Sequence, residues 1–296
     1  MSTIQAYTTA TRPSAVGNTG LTIFNTTSKN INVSDGTNWR AYAYDTVYYA
    51  WTGNSSSILL DGVDDYLSSS FSPSTIGTGD YSVSFWFNID TTATDDFPYF
   101  FAMGTSTTSG NTVQGCGLSN RSGTTYKVRI NNNSSSTYSQ TVSSGLDISA
   151  GTWYHFCFVR DGNTITLYKD GSSYLTLSNT EVGTNNLSEG SNFYLGWGAN
   201  FGNRFVEGLL DEVAVFNSAL TASEAGYIYN GQTNTGSGTA TSGVPGDLYS
   251  FSPLHWWRMG DINNQSGNTI YDQGSGAKNL NLQPSGGPQY STTVAS

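Results

Sequence analysis

Charge is scarce in this sequence. Asp, Glu, Lys and Arg make up 11% of its 296 residues, against roughly 25% in an average globular domain. Basic residues are the scarcer sign: 11 Lys and Arg are scattered along the chain, and the net charge is −10. Phosphate backbones are held by clustered cations, so nucleic acid is excluded as a partner. Glutamate occurs only as Glu181, Glu189, Glu207, Glu212 and Glu224, and histidine only as His155 and His255. That thins the field of general acids and bases. The two cysteines, Cys116 and Cys157, have no metal-ligand spacing. Two free thiols are expected, with Cys157 buried in a strand, and a disulfide between the two is the alternative. No apolar run approaches the ~20 residues of a membrane helix, so membrane insertion is not expected. The opening MSTIQAYTTATRPS has neither the basic nor the apolar stretch of a secretory leader.

Glycine and aromatics are plentiful: 34 Gly, 19 Tyr and 7 Trp. Together with abundant Ser, Thr and Asn they predict many short strands, polar turns and large aromatic cores, not disorder. Residues 1–50 read as a small β arm. In GLTIFNTTSKNINVSDGTNWRAY, Leu21, Ile23, Ile31 and Val33 alternate with polar residues, with turns at Ser28-Lys29-Asn30 and Asp35-Gly36. About 50 residues hold too little core to stand alone, so an anchoring or oligomerising role is expected, with Ile23, Phe24 and Trp39 as assembly residues.

Residues 51–232 carry the strand signals. DYSVSFWFNI places Tyr81, Val83, Phe85 and Phe87 on one face. TWYHFCFV is apolar on both faces, as a central strand would be. NTITLYKDGSSYLTL reads as a hairpin about Asp170-Gly171. FYLGWG and LLDEVAVF supply two more strands. One helix is predicted over TASEAGYIYNG, with Thr221 as N-cap, Glu224 as its capping-box partner and Gly231 as the stop. The pattern is all-β, an antiparallel two-sheet sandwich. Residues 233–296 comprise a Gly/Ser/Thr linker and a segment rich in apolar residues, in which Trp256 and Trp257 are further assembly candidates.

Four segments in order, LLDGVDDYL, DYSVSFWFNID, GTWYHFCFVRDGNTITLYKDG and GLLDEVAVFNSALTASEAGYIYNG, resemble the laminin-G-like, concanavalin-A-like jelly-roll family. The resemblance implies two antiparallel sheets packed face to face. In that family a segment like HWWRMGD…TIYDQGSGAKNLNL usually precedes the first signature, whereas here it follows the last. It therefore either opens a truncated second module or completes a permuted sandwich, pairing in cis or with a neighbour. The stretch TRPSAVGNTGLTIFNTTSKNINVSDGTNW is similar to the start of tailed-phage fibre and head-decoration proteins, of the marine or cyanophage type. That implies a structural protein made in the host cytoplasm and displayed on the virion surface, as capsid decoration or a short fibre knob. The partners expected are other virion proteins, further copies of itself and a host-surface glycan. The alternative is a receptor-binding tail-fibre adhesin, and a glycoside hydrolase is more remote.

Three chemistries compete for the polar residues. Ca²⁺ takes six to eight oxygens, and Asp61, Asp64 and Asp65 cluster in ILLDGVDDYL. The family resemblance adds Asp211 as a calcium partner. The same Asp residues can instead accept N–H bonds in a tight turn, with Tyr66 and Leu67 returning to the core. Catalysis fares worse, because no Glu has the alternate spacing of related glycosidases and Asp211 and Glu212 should face opposite sides of a strand. An enzyme is not expected. Glycan binding needs aromatic faces beside amide groups. Tyr194, Trp197, Asn200, Phe201 and Asn203 are the candidates in FYLGWGANFGNRF, with Tyr99 in a second loop.

Overall fold

The computed structural model of the chain describes residues 5–7, 10–11, 13–14, 16, 22–25, 30–34, 37, 39–42, 53–93, 97–107, 110–133, 138–187, 193–198, 204–261, 265–283 and 287–295. It divides into two units, Met1–Ala50 and Trp51–Ser296.

The first unit is a four-stranded sheet. Thr22–Asn25, Asn30–Ser34 and Trp39–Tyr42 form an antiparallel meander, and Gln5–Tyr7 adds a strand parallel to Thr22–Asn25. Ile23 is buried. Phe24 and Trp39 lie in these strands, and their side chains fall outside the described residues.

The second unit is an antiparallel sandwich of a ten-stranded and an eight-stranded sheet, as the alternation predicts. Tyr81–Ile89 pairs on one side with Trp153–Asp161 and on the other with Glu207–Phe216. Its Tyr81, Val83, Phe85 and Phe87 point into the interior core with Phe156 and Phe158, against Phe100, Phe101 and Phe193 from the other sheet. The outer face of the eight-stranded sheet is buried too. His155, Cys157 and Val159 lie there beneath the helix Ala222–Tyr229, which packs Ala225 and Ile228 with Leu248, Phe251 and Trp256. Hence TWYHFCFV is apolar on both faces. The helix carries the expected capping box between Thr221 and Glu224. The hairpin turns through Asp170 (φ 49) and Gly171 (φ 76), the two positive-φ positions of a type I′ turn. Both thiols are free and buried, Cys116 in the interior core and Cys157 in the layer under the helix.

The C-terminal segment is paired within its own chain. Leu280–Gln283 pairs with Tyr66–Ser69 in the ten-stranded sheet. His255–Trp257 and Gln289–Ser291 join the eight-stranded sheet, against Glu207–Phe216 and Ser57–Asp61. Trp256 and Trp257, expected as contacts to a neighbour, are 3% and 0% exposed inside their own sandwich. Their rings fill space beside strands whose edges the same segment covers.

A β-bulge breaks the strand Glu207–Phe216. Its register to Tyr81–Ile89 slips between Asp211 and Ala214, and Glu212 takes φ 43. Instead of facing opposite sides, Asp211 and Glu212 therefore enter one buried polar network. Glu212 accepts from Trp256 Nε1 at 2.6 Å and from Arg258 Nε at 3.3 Å. Arg258 also donates to Asp261 and to Gly53 O. Asp261 accepts from the Ser55 and Ser56 backbone. A second docking point holds His255 Nδ1 2.6 Å from Asp272 Oδ2, with the ring stacked on Trp257.

Candidate functional site

The strand Tyr66–Ser69 has Leu67 and Ser69 buried and Tyr66 and Ser68 half-buried. Side chains alternate across a strand, so Tyr66 points to the outer face of the ten-stranded sheet. Sequence reasoning had returned it to the core. On the neighbouring strand Phe193–Leu195, Phe193 and Leu195 are buried and Tyr194 is outward. Trp197 follows, bridged to Phe205.

These four rings form one half-exposed cluster. Trp197 and Phe205 stack at 5.9 Å with an interplanar angle of 8°. Tyr66 lies 5.0 Å from Trp197 and 6.5 Å from Phe205. Tyr194 stands edge-on to Trp197 at 5.0 Å and to Tyr66 at 5.9 Å. The C-terminal strand Leu280–Gln283 places Gln283 opposite Tyr66 and Asn281 opposite Ser68, while Tyr194 lies opposite Ser68 from the other side. Amide and hydroxyl side chains thus border the rings on the same face. The result is a half-exposed aromatic platform, its rings tilted against one another and edged by hydrogen-bonding groups.

Of the predicted residues, Tyr194 and Trp197 belong to this platform. Asn200, Phe201 and Asn203 lie outside the described residues. Tyr99 does not belong: it opens the strand Tyr99–Thr107 instead of lying in a loop, and it is 1% exposed, with the Arg129 guanidinium 4.1 Å over its ring. A register irregularity between Tyr99 and Phe101 makes the parity of YFF unreadable from sequence. Tyr66, Phe205, Asn281 and Gln283 were missed. The first followed from misjudging the turn before it, and the last two depend on a strand more than 200 residues away.

The carboxylates separate into two places. Asp61, Asp64 and Asp65 offer oxygens that all lie within 4.8 Å of one another. Asp61 Oδ1 accepts from Val63 N at 2.8 Å, closing the turn through Gly62 (φ 75). Asp211 does not join them. Glu207 is the residue opposite Asp61, and Asp211 lies four positions further on, roughly 13 Å along the strand. Its Oδ1 accepts from Glu212 N and its Oδ2 from Asn54 Nδ2. The surroundings of Asp211 do not fit a metal ion, because donors already occupy both oxygens and Arg258 is the cation of that network. Burial pushes the Asp211 carboxyl well up and that of Glu212 to about 7, the latter against the pull of Arg258.

Neither histidine reaches a substrate: His155 and His255 are 0% and 1% exposed. The adjacent acids Asp211 and Glu212 are equally enclosed. Two depressions of about 350 and 290 Å³ lie around Leu59 and Asp90, and none of the four rings lines them.

Residues 60–226, over half of the chain, match a single family of laminin G domains. The chain belongs to the concanavalin A-like lectin/glucanases superfamily. Its sandwich is accordingly of the concanavalin A type. Among solved structures, it is similar to a Bacteroides ovatus protein provisionally assigned as carbohydrate-binding, with TM-score 0.55 and 16% identity. That match covers 82% of this chain but only 61% of the other. It is also similar to the heptameric SAP-like pentraxin of Limulus polyphemus, with TM-score 0.44, 18% identity, and 59% and 82% of the two chains covered. A third similarity is to the CBM40 domain of the Ruminococcus gnavus IT-sialidase bound to sialyllactose, with TM-score 0.44, 12% identity, and 57% and 94% covered. No curated protein matches the sequence.

Proposed function

We propose that this laminin-G-type chain is a non-catalytic surface protein that binds glycans on the outer face of its ten-stranded sheet. The observation that carries this reading is the cluster of Tyr66, Tyr194, Trp197 and Phe205. The interior core already accommodates large aromatics, yet these four rings are held half-exposed in mutual contact beside Ser68, Asn281 and Gln283. A pyranose ring presents an apolar face and a rim of hydroxyls, which matches rings edged by amides. The Bacteroides ovatus protein, provisionally assigned as carbohydrate-binding, shares the fold and supports the class of ligand, not its identity.

The finer part of the proposal is display on a tailed-phage virion, on capsid or tail, with the N-terminal unit as the attachment to other virion proteins. The resemblance of residues 11–39 to phage fibre and decoration proteins supports it, as does the division of the chain into two units, with those residues in the first. Trp197→Ala and Tyr66→Ala should each weaken glycan-array binding by roughly tenfold or more, as aromatic contacts to a ligand do, with folding intact. Binding that survives both substitutions sinks the glycan reading. A full chain that fails to rebind stripped particles sinks the virion one.

A further inference from the structure

We propose that the turn Asp61–Asp65 is a divalent-cation site of the calcium type, in which Asp61, Asp64 and Asp65 supply the carboxylate oxygens. Nothing in the glycan reading requires it. One oxygen from each of these residues lies within 4.8 Å of the others. Ligand oxygens of Ca²⁺ sit at 2.3–2.6 Å from the ion, so opposed ligands are up to roughly 5 Å apart. The three oxygens are therefore already at coordination spacing, although three adjacent negative charges repel.

A second, independent observation comes from Asp65. It is 3% exposed, and its Oδ2 accepts from Asp61 N at 3.1 Å. Its Oδ1 is buried with no hydrogen-bond partner. A buried carboxylate oxygen without a partner costs free energy that a bound cation would recover.

The surroundings favour a hard ion. Asp61 and Asp65 line the depression of about 290 Å³ together with Asp90 and Glu207, and no Lys or Arg is among its described lining residues. Glu207 sits directly across from Asp61 in the sheet, adding negative potential beside the turn. Oxygen donors without His or Cys select Ca²⁺ or Mg²⁺ over zinc. Asp61 and Asp64 are exposed on a turn, which leaves room for waters and an irregular ligand shell, and this favours calcium over the strict octahedron of magnesium.

The test is isothermal titration of the EDTA-stripped full chain with CaCl₂, alongside thermal melting with and without the ion. One ion per chain is expected, with Kd about 10⁻⁴–10⁻³ M as in extracellular modules, a higher melting temperature with calcium, and weaker binding of Mg²⁺. Asp65→Asn and Asp64→Asn should each weaken binding by roughly tenfold, while Asp161→Asn on an exposed strand end leaves it unchanged. Asp65→Asn in EDTA should melt no lower than the unsubstituted chain, because it removes a buried charge. Asp64 is exposed, so its variant reports on binding free of any folding defect. No saturable binding below about 10⁻² M, tenfold above the weakest value expected, would overturn the site. So would undiminished binding in both the Asp64 and Asp65 variants.

Discussion

His155 shows how one buried side chain sets a pH response. Its Nε2 lies 2.9 Å from Ser84 Oγ, and its ring packs beside Trp86 and Tyr229, which stack on each other. Burial pushes it down to about 3 from an ordinary 6.5. The folded chain thus keeps His155 neutral where the unfolded chain protonates it. Its contribution to stability is complete above pH 6.5 and lost as pH falls from 6.5 towards 3, at about 1.4 kcal/mol per pH unit. Raised carboxylates such as Glu212 slope the opposite way, so the check is a difference: His155→Gln should lose stability less steeply than the unsubstituted chain between pH 6.5 and 4 in urea titrations. Parallel slopes would show that His155 does not carry the effect. The same residue scale explains which site residues were legible. Trp197 and Tyr194 stood out because aromatics at a strand end run into an Asn- and Gly-rich loop, whereas Tyr66 follows a turn whose length decides its face.

At the scale of elements, the bulge at Glu212 and the strand His255–Trp257 depend on each other. The bulge aims Glu212 at Trp256 and Arg258, and Arg258 offsets two buried carboxylates through its contacts to Glu212 and Asp261. Removing one partner from such a network leaves charge buried and unpaired, which typically costs about 3–5 kcal/mol. Arg258→Met should therefore lower stability by about that amount in chemical denaturation. Arg258→Lys should recover only part of it, because an ammonium cannot reproduce the guanidinium fork that reaches Glu212, Asp261 and Gly53 O together. A loss below about 1 kcal/mol for the Met variant, the level of a solvated surface pair, would show that the network is dispensable.

At the scale of the whole molecule, both sheets are finished by residues that come last in the chain. Leu280 and Leu282 enter the interior core with Trp257 and Met259, and Gln289–Ser291 covers the edge of Ser57–Asp61. A chain ending at Gln232 loses these core residues and exposes the edges of both sheets at once. It should lack a cooperative melt or aggregate, and a sharp transition at the full-length temperature would contradict that expectation. Completing both sheets is also what brings Asn281 and Gln283 alongside Tyr66.

The sequence by itself determined the strands Tyr81–Ile89, Trp153–Asp161 and Glu207–Phe216, the inward face of the first, the hairpin at Asp170-Gly171 and the capped helix. Each depends on side-chain alternation, turn chemistry or hydrogen bonds between residues a few positions apart. It also sufficed for the fold class, because four local patterns occur in one order. Only the tertiary structure decided how the acids divide between a tight turn and a buried network. It alone turned Tyr66 outward, buried Tyr99 under Arg129 and set Gln283 against Tyr66. Those outcomes depend on strand register, bulges and pairings across 200 residues, which local pattern does not encode because one residue of slip exchanges the two faces of a strand.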